Sequence, residues 1–443
     1  MKLALLGGEQ TITKTQKEIE APIVPEAAYA TVKEMMEKGE ISLSPIVGKF
    51  ERKFADYIGV EYGLCICNGT TSIQAALFAV GVGAGDEVIV PSFTFWASAG
   101  PIVAANAVPV FADVDLEKQT VTAETIEKCI TNKTKAIIVV HTWGTPCEIG
   151  PIAKLAKEKG IKLIEDCSHA HGATYHGKKV GTFGDVGCFS LQGSKVLPAG
   201  EGGILVTNNR LYFERACALG HYERLSKLPE DSEYRKYAMT GFGFKHRAHP
   251  LGIAIADASL DRLDEINGIR YENGKYFDKL ISDLDFISLQ GEPEDSVRVY
   301  AYHYARYIPE KLSGLGLYTF MKAIAAEGVV CGSCGYGKLH IAPFYTEEGK
   351  FGKGCPFDCP HYGSEFKADR HPLPNTEILA KSDMMLAPRF EIATKEDIEL
   401  YAAAYHKVAE NVDELLEYEK ANNLAAKVED NAGRSINIFK NSK

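Results

Sequence analysis

A chain of 443 residues is long enough for a large buried core and about three domain-sized units, so nothing in it requires a metal or disulfide staple. Its 45% hydrophobic and 24% charged residues are ordinary for a folded globular protein and exclude wholesale disorder. With 49 Lys and Arg against 59 Asp and Glu the formal charge is −10, which disfavours nucleic acid or an anionic membrane as partner and leaves a small molecule as the default.

The segment Met1-Lys2-Leu3-Ala4-Leu5-Leu6-Gly7-Gly8 has too short an apolar core for a secretory signal. Eleven cysteines, an odd number, sit mostly alone in apolar runs, a pattern that points to free thiols in a reducing cytoplasm. The uncharged window from Val88 to Ala112 is long enough to span a bilayer, but Pro91, Pro101, Pro109 and Asn106 within it argue for strand, loop and short helix instead.

From about Ser44 to Asn208, β-branched runs alternate with helical patterns, the signature of a mainly parallel α/β sheet. Tyr62 to Cys67 reads as a strand, Asn68-Gly69 as a tight turn, and the following residues as a helix with Ile73, Ala76, Leu77 and Val80 on one face. Further strands are expected at Val88–Val90, Val108–Phe111, Ala136–Val140, Lys162–Ile164, Val186–Ser190 and Gly203–Val206, with a helix over Pro151–Lys159 that Gly160 ends. After Asp261 come longer polar helices (Leu263–Leu284, and one near Tyr318–Glu327) and an alternating strand carrying Tyr300, Tyr302 and Tyr304. The expected division is therefore 1–261 as a large domain, 262–420 as a smaller α+β domain and 421–443 as a polar tail.

Chemistry concentrates where strands end. The run Ile164-Glu165-Asp166 delivers a carboxylate to the carboxyl edge of the sheet, where open α/β folds bind ligands. Ser190 ends another strand and leads to Lys195, while Asn68-Gly69-Thr70-Thr71 opens a helix whose N–H groups and hydroxyls suit a phosphate. An amine, a carboxylate and a phosphate cradle are what pyridoxal 5′-phosphate (PLP) needs, and Phe95, in Pro91-Ser92-Phe93-Thr94-Phe95-Trp96, offers a ring to stack on it. Phe95 and Trp96 read equally as core residues.

These motifs, from Asn68-Gly69-Thr70 through Glu165-Asp166 and His171-Gly172-Ala173 to Ser190, Lys195 and Gly200-Glu201-Gly202-Gly203, resemble the DegT/StrS sugar aminotransferases, densely over residues 40–265. The resemblance implies fold type I, with an aspartate-aminotransferase-like large domain, a smaller C-terminal domain and a homodimer with shared active sites. It makes Lys195 the Schiff-base lysine and proton shuttle, and pairs Asp166 with the pyridine nitrogen. Gly69, Thr70, Thr71 and Ser190 fall at the phosphate and Phe95 against the ring. His169 stands where the family usually has glutamine. Lys245 falls in a segment where the family has an asparagine that reaches the neighbouring subunit's phosphate, and Arg247 and His340 are assigned to the substrate. The implied reaction passes an amino group from glutamate or glutamine to a cyclic polyhydroxylated ketone, either a keto-inositol or a nucleotide-linked keto-sugar. A sugar dehydratase or aminohydroxybenzoate-forming lyase is the alternative, and the dehydratase branch carries histidine in place of Lys195. A PLP-binding sensor without turnover is a further one.

Two other patterns carry less. Cys331, Cys334, Cys355 and Cys359 invite a zinc reading, but the spacing of the second pair is unusual and no metal is expected. Gly81-Val82-Gly83-Ala84-Gly85 follows a helix and precedes a strand, the reverse of a dinucleotide loop.

Overall fold

The computed structural model describes residues 1–346, 352–363 and 365–424; most of the tail expected at 421–443 lies outside them. A seven-stranded sheet dominates the first half: β1 (Tyr62–Ile66), β2 (Glu87–Pro91), β3 (Val108–Ala112), β4 (Thr134–Val140), β5 (Lys162–Asp166), β8 (Val186–Ser190) and β9 (Gly203–Thr207). Two short strands, β6 (Thr174–Tyr175) and β7 (Lys178–Lys179), form a hairpin between β5 and β8. The sheet order is β1-β9-β8-β5-β4-β2-β3, and only β9 runs against the others. The fold is thus α/β with a mainly parallel sheet, and Asn68, Ser190, Asp166, His141 and Ser92 all fall at or just beyond one edge.

Helices α1 (Glu26–Glu37) and α2 (Pro45–Ile58) precede β1, and α3 (Gly69–Val80) follows it. Asn68 caps α3 by accepting the Thr71 N–H at 2.9 Å, and Gly81 ends it at φ 83°, a left-handed conformation that glycine adopts without strain. Ile73, Ala76, Leu77 and Val80 are buried as their spacing predicts. Ala75 and Ala79 are buried too, because α3 lies flat on the sheet with a further helix, Arg210–Gly220, against its other side. Burying a side chain such as Leu77 contributes about 1.5–3 kcal/mol.

A four-stranded antiparallel sheet, order β10-β12-β14-β13, forms the second half, from β10 (Ile287–Leu289), β12 (His303–Tyr307), β13 (Gly332–Ser333) and β14 (Asp383–Ala387). Strand β11 (Ser296–Val297) pairs instead with β6. Phe277, Phe320 and Tyr405 centre the second core, which also buries Leu3, Ile12 and Ile19 from the start of the chain. Glu327 holds that start in place, accepting from Ala4 N–H at 2.8 Å, the Thr11 hydroxyl at 2.7 Å and Lys407 at 2.8 Å.

The tyrosine-rich run is only partly strand. Tyr300 has φ 41°, which breaks the extension before β12 begins at His303. The kink docks residues 299–302 on the loop after β4, where the Val299 N–H reaches Gly144 O at 3.1 Å and the Tyr302 N–H reaches Trp143 O at 3.4 Å. Gly144 permits the approach: a Cβ there would lie 2.9 Å from Val299 Cγ2 and 3.0 Å from His169 O. Among the described residues no helix is long and apolar enough to cross a membrane.

Candidate active site

Three strand ends and one helix start converge at the carboxyl edge. Ser190, at the end of β8, touches the start of α3, where a Cβ on Gly69 would sit 2.8 Å from Ser190 Cβ. Gly203 makes the same allowance from β9, since its Cβ would lie 2.5 Å from the Asn68 carbonyl. At this terminus the Thr71 N–H is already given to Asn68, and the Thr71 hydroxyl donates to Asn68 O at 3.0 Å. The N–H groups of Gly69 and Thr70, with the Thr70 and Ser190 hydroxyls, therefore remain for an anion, favoured by the positive end of a 12-residue helix.

Asp166, 5% exposed, accepts from Ser98 Oγ at 2.7 Å and from the Ser168 N–H at 3.1 Å. Two donors on a carboxylate leave lone pairs for a third, such as a ring N–H. Lys195 lies in the loop between β8 and β9, where its main-chain N–H donates to Gln192 O at 2.8 Å; its Nζ lies 5.7 Å from the Tyr302 ring centroid and makes no hydrogen bond or ion pair among the described residues. Ser194 beside it shares a 2.9 Å hydrogen bond with the Tyr302 hydroxyl.

His169 is held between Trp143 and Tyr336. Its Nδ1 accepts the Trp143 N–H at 3.3 Å, which leaves the proton on Nε2, 3.4 Å from the Tyr336 hydroxyl. Burial, then the charge of Lys195, pushes His169 well below the usual histidine range, so it is neutral. Trp143 stacks on it with centroids 5.6 Å apart and on Tyr336 at 4.7 Å. Trp143 has φ 60°, an uncommon strain for a bulky residue. The indole N–H is fixed by Gln119 Oε1 at 2.8 Å, and Gln119 in turn donates to Asp383 on β14 at 3.2 Å. Through that relay the second sheet sets the orientation of a side chain at the site.

The other expected residues are placed less directly. Phe95 and Trp96 are both exposed, at 49% and 55%, and Trp96 lines an apolar cavity with Thr70, Gln74 and Phe344. Trp96 is not core. His340 is buried with both ring nitrogens engaged, Nδ1 with Ser92 Oγ at 2.8 Å and Nε2 with Glu377 at 3.3 Å. Lys245 and Arg247 do not join Lys195; they line a separate cavity with Glu51, Arg224 and His249. The four C-terminal cysteines do not converge: Cys331 is in the second core, Cys334 lies beside Asp383, and Cys355 and Cys359 adjoin each other near Val108. Trp143, Tyr302, Tyr336 and Ser98 went unread in the sequence, although His141-Thr142-Trp143-Gly144 follows a strand at the ligand-binding edge, a signal that does mark Trp143.

The residues present fit PLP: a free amine, a buried carboxylate with spare acceptor capacity, and an anion cradle lie along one sheet edge in the strand order that places them side by side. This arrangement defines the class, a PLP-dependent enzyme of fold type I. The comparisons agree and narrow it. Residues 22–358 match the DegT/DnrJ/EryC1/StrS aminotransferase family, and the chain belongs to that family of PLP-dependent aminotransferases. It is 34% identical over 422 residues to the L-glutamine:2-deoxy-scyllo-inosose aminotransferase of Streptomyces fradiae, covering 92% of this chain and 97% of the relative. It is 37% identical over 254 residues to GDP-perosamine synthase of Escherichia coli O157:H7, covering 57% and 67%. The crystal structure of an aminotransferase from Psychrobacter cryohalolentis superposes with a TM-score of 0.78 at 26% identity, covering 88% of this chain and 98% of the other.

Proposed function

We propose that this aminotransferase moves an amino group from glutamine or glutamate to the ketone of a polyhydroxylated cyclic acceptor, a keto-inositol in preference to a nucleotide-linked keto-sugar. The observation that carries the reading is the unpaired Lys195 amine on the same sheet edge as Asp166 and the α3 terminus; a dehydratase of this family would need a histidine there. The keto-inositol preference rests on the Streptomyces relative, which matches almost the whole chain, whereas the GDP-perosamine synthase matches little more than half.

When bound, PLP supplies a carbonyl carbon that condenses with amines and a ring that accepts electrons. Asp166, itself held by Ser98 and Ser168, would pair with the pyridine nitrogen and favour its protonated form. Gly69, Thr70 and Ser190 bind the phosphate, with Thr71 shaping the turn. Phe95 would cover one ring face, and His169, whose Nδ1 accepts the Trp143 N–H and whose proton is on Nε2, would offer that N–H to the ring's 3-oxygen. Lys195 would hold the cofactor as its imine partner and, once freed, take and return the substrate-carbon proton at its Nζ. His340 shapes the acceptor side from its place between Ser92 and Glu377.

The protein acts as a homodimer in the cytoplasm, divided near residue 262 into a large and a smaller domain. Exposed Met239, Phe242 and Phe244 flank Lys245, a patch that a second subunit would cover while Lys245 reaches the neighbour's phosphate and Arg247 its substrate. The test is spectroscopic. Glutamine or glutamate alone should convert the absorption band of the PLP-loaded enzyme, and a keto-inositol should restore it faster than a nucleotide-linked keto-sugar. A band that no amino donor alters refutes the reading.

A further inference from the structure

Two side chains with left-handed main chains meet beside the site: Gln119, at φ 58°, in the loop after β3, and Trp143, at φ 60°, in the loop after β4. Such conformations are uncommon away from glycine and persist only where the surroundings over-determine them. What holds both is a buried carboxyl on the smaller sheet. Asp383, the first residue of β14, accepts the Gln119 amide at 3.2 Å, and Gln119 Oε1 accepts the Trp143 indole N–H at 2.8 Å. Tyr304 of β12 stacks on the indole with centroids 4.1 Å apart.

A second path leads from Asp383 to the same place. Gly332 and Ser333 of β13 pair with Met385 and Met384 of β14, and the antiparallel register brings Cys334 beside Asp383. Cys334 Sγ accepts the Tyr336 N–H at 3.4 Å, and the Tyr336 hydroxyl lies 3.4 Å from His169 Nε2. With the Trp143 N–H on His169 Nδ1 at 3.3 Å, the two paths close a circuit that starts at Asp383 and grips both nitrogens of His169. The Asp383 oxygen that Gln119 does not use, Oδ2, is buried without a conventional hydrogen-bond partner among the described residues. Burial pushes this carboxyl well above the ordinary carboxylate range, so the circuit is anchored on a neutral acid and adds no buried charge.

We propose that Asp383 is a positioning residue for His169: through Gln119 and Trp143 on one side, and Cys334 and Tyr336 on the other, it fixes the imidazole with its Nε2 proton toward the cofactor's 3-oxygen. A neutral imidazole carries its proton on either nitrogen, so a donor role at one atom needs the other nitrogen engaged and the ring held. The Trp143 N–H engages Nδ1 and the stacked indole sets the plane of the imidazole. A main chain at φ 60° keeps that N–H in place only while the indole is anchored. The inference rests on the reading that His169 meets the 3-oxygen, and it assigns control of that contact to a residue that acts only through others.

The test measures the dissociation constants of the apoenzyme for PLP and for 3-deoxypyridoxal 5′-phosphate, the same molecule without the 3-oxygen; their ratio reads the contact itself. In H169L the preference for PLP should fall about 10-fold, the loss of a hydrogen bond to a charged oxygen. D383L, which fills the space but removes the anchor, should lower it about 3- to 10-fold, whereas D383N, whose amide oxygen still accepts from Gln119, should stay within about twofold of wild type. Adding D383L to H169L should change the preference no further, because both act on one contact. Equal losses for both ligands in D383L, or none, overturn the proposal by leaving Asp383 a structural role alone, and so does a D383N as impaired as D383L. If D383L does not fold, Q119M and C334A each break one path, and an unchanged preference in both is equally fatal. An H169L enzyme with unchanged preference refutes instead the placement of His169 at the 3-oxygen.

Discussion

Replacing Gly69 with alanine tests the phosphate cradle at its tightest point. The added Cβ would lie 2.8 Å from Ser190 Cβ, 3.1 Å from Ser190 Cα and 3.3 Å from Ser190 Oγ. Carbon atoms in contact prefer about 3.5–4.0 Å, so the start of α3 must retreat by roughly 0.5–1 Å. Ser190 does not rotate aside, because the nearest atoms include the main chain of β8, a strand paired on both sides. Overpacking of this kind costs about 1–3 kcal/mol, and the retreat carries the Gly69 and Thr70 N–H groups away from the anion. Losing one hydrogen bond to a charged group costs about 1.5–3 kcal/mol, or about 10- to 150-fold in affinity. Equilibrium titrations with PLP and with pyridoxal, which lacks the phosphate, separate the effects. PLP binding by G69A should weaken by that factor while pyridoxal binding holds. Equal losses for both ligands, or none, would refute the cradle.

Three further outcomes follow from the same geometry. K195A should retain PLP through the phosphate and ring contacts but lose at least about 10²–10⁴-fold in turnover, and borohydride trapping of the wild type should label Lys195; a label elsewhere contradicts the assignment. E165A strips a fully buried carboxylate from the N–H groups of Gly181, Phe183 and Gly184, which it accepts at 2.8, 2.8 and 2.6 Å, and from His141 at 3.2 Å. Urea unfolding should show a loss of about 3–5 kcal/mol, and a shift below about 1 kcal/mol would mean that the donors find other partners. Burial, then the Lys195 charge, holds His171 down at about 3, and burial, then the Arg224 charge, holds His221 at about 3. Both take a proton more readily when unfolded, so their stabilising effect is complete above the ordinary histidine value of about 6.5 and is lost as pH falls from there toward 3. Denaturant midpoints from about pH 7 to about pH 4 should fall less steeply in H171L, by about one proton of slope; identical slopes would exclude His171.

The sequence carries the parts of this site that lie on strand ends or open a helix. Asp166, Ser190 and Gly69 can be read because the apolar run before each fixes the edge at which it emerges. The burial of Ile73, Ala76, Leu77 and Val80 can be read for the same reason, since periodicity speaks directly about faces. What stays hidden is set by contacts between distant segments. Tyr336 reaches His169 across 167 positions, and Gln119 meets Asp383 across 264. Neither residue belongs to a motif, and no local pattern announces the pairing. Tyr302 looks like one member of an alternating strand, whereas the left-handed Tyr300 just before it ends that alternation and brings Tyr302 to Ser194. The packing of the first 20 residues on the second core is hidden likewise: Leu3, Ile12 and Ile19 are too sparse for a periodic signal, and the buried Glu327 that anchors them sits over 300 positions away.

One buried group shows how hydrogen bonding decides between a metal site and a structural clamp. The side chains of His141, Glu165 and Cys167 approach within 4.8 Å of one another in full burial, a donor set that suits zinc by chemistry alone. Their existing partners assign them otherwise. Both oxygens of Glu165 accept main-chain N–H groups from the turn at 181–184, and His141 Nδ1 accepts the Cys147 N–H at 3.0 Å, which leaves its Nε2 proton for Glu165. Burial pushes the Cys167 thiol up to about 12, so a metal would have to displace a strongly held proton and also free a carboxylate from three donors. The trio instead ties the end of β4 to the end of β5 and to the turn entering β8, the three strands whose carboxyl ends lead into Trp143, Asp166 and Ser190. Alternation along β5 places Asp166 on the opposite face from Glu165, so a residue that never meets the substrate sets the direction of the one that meets the cofactor.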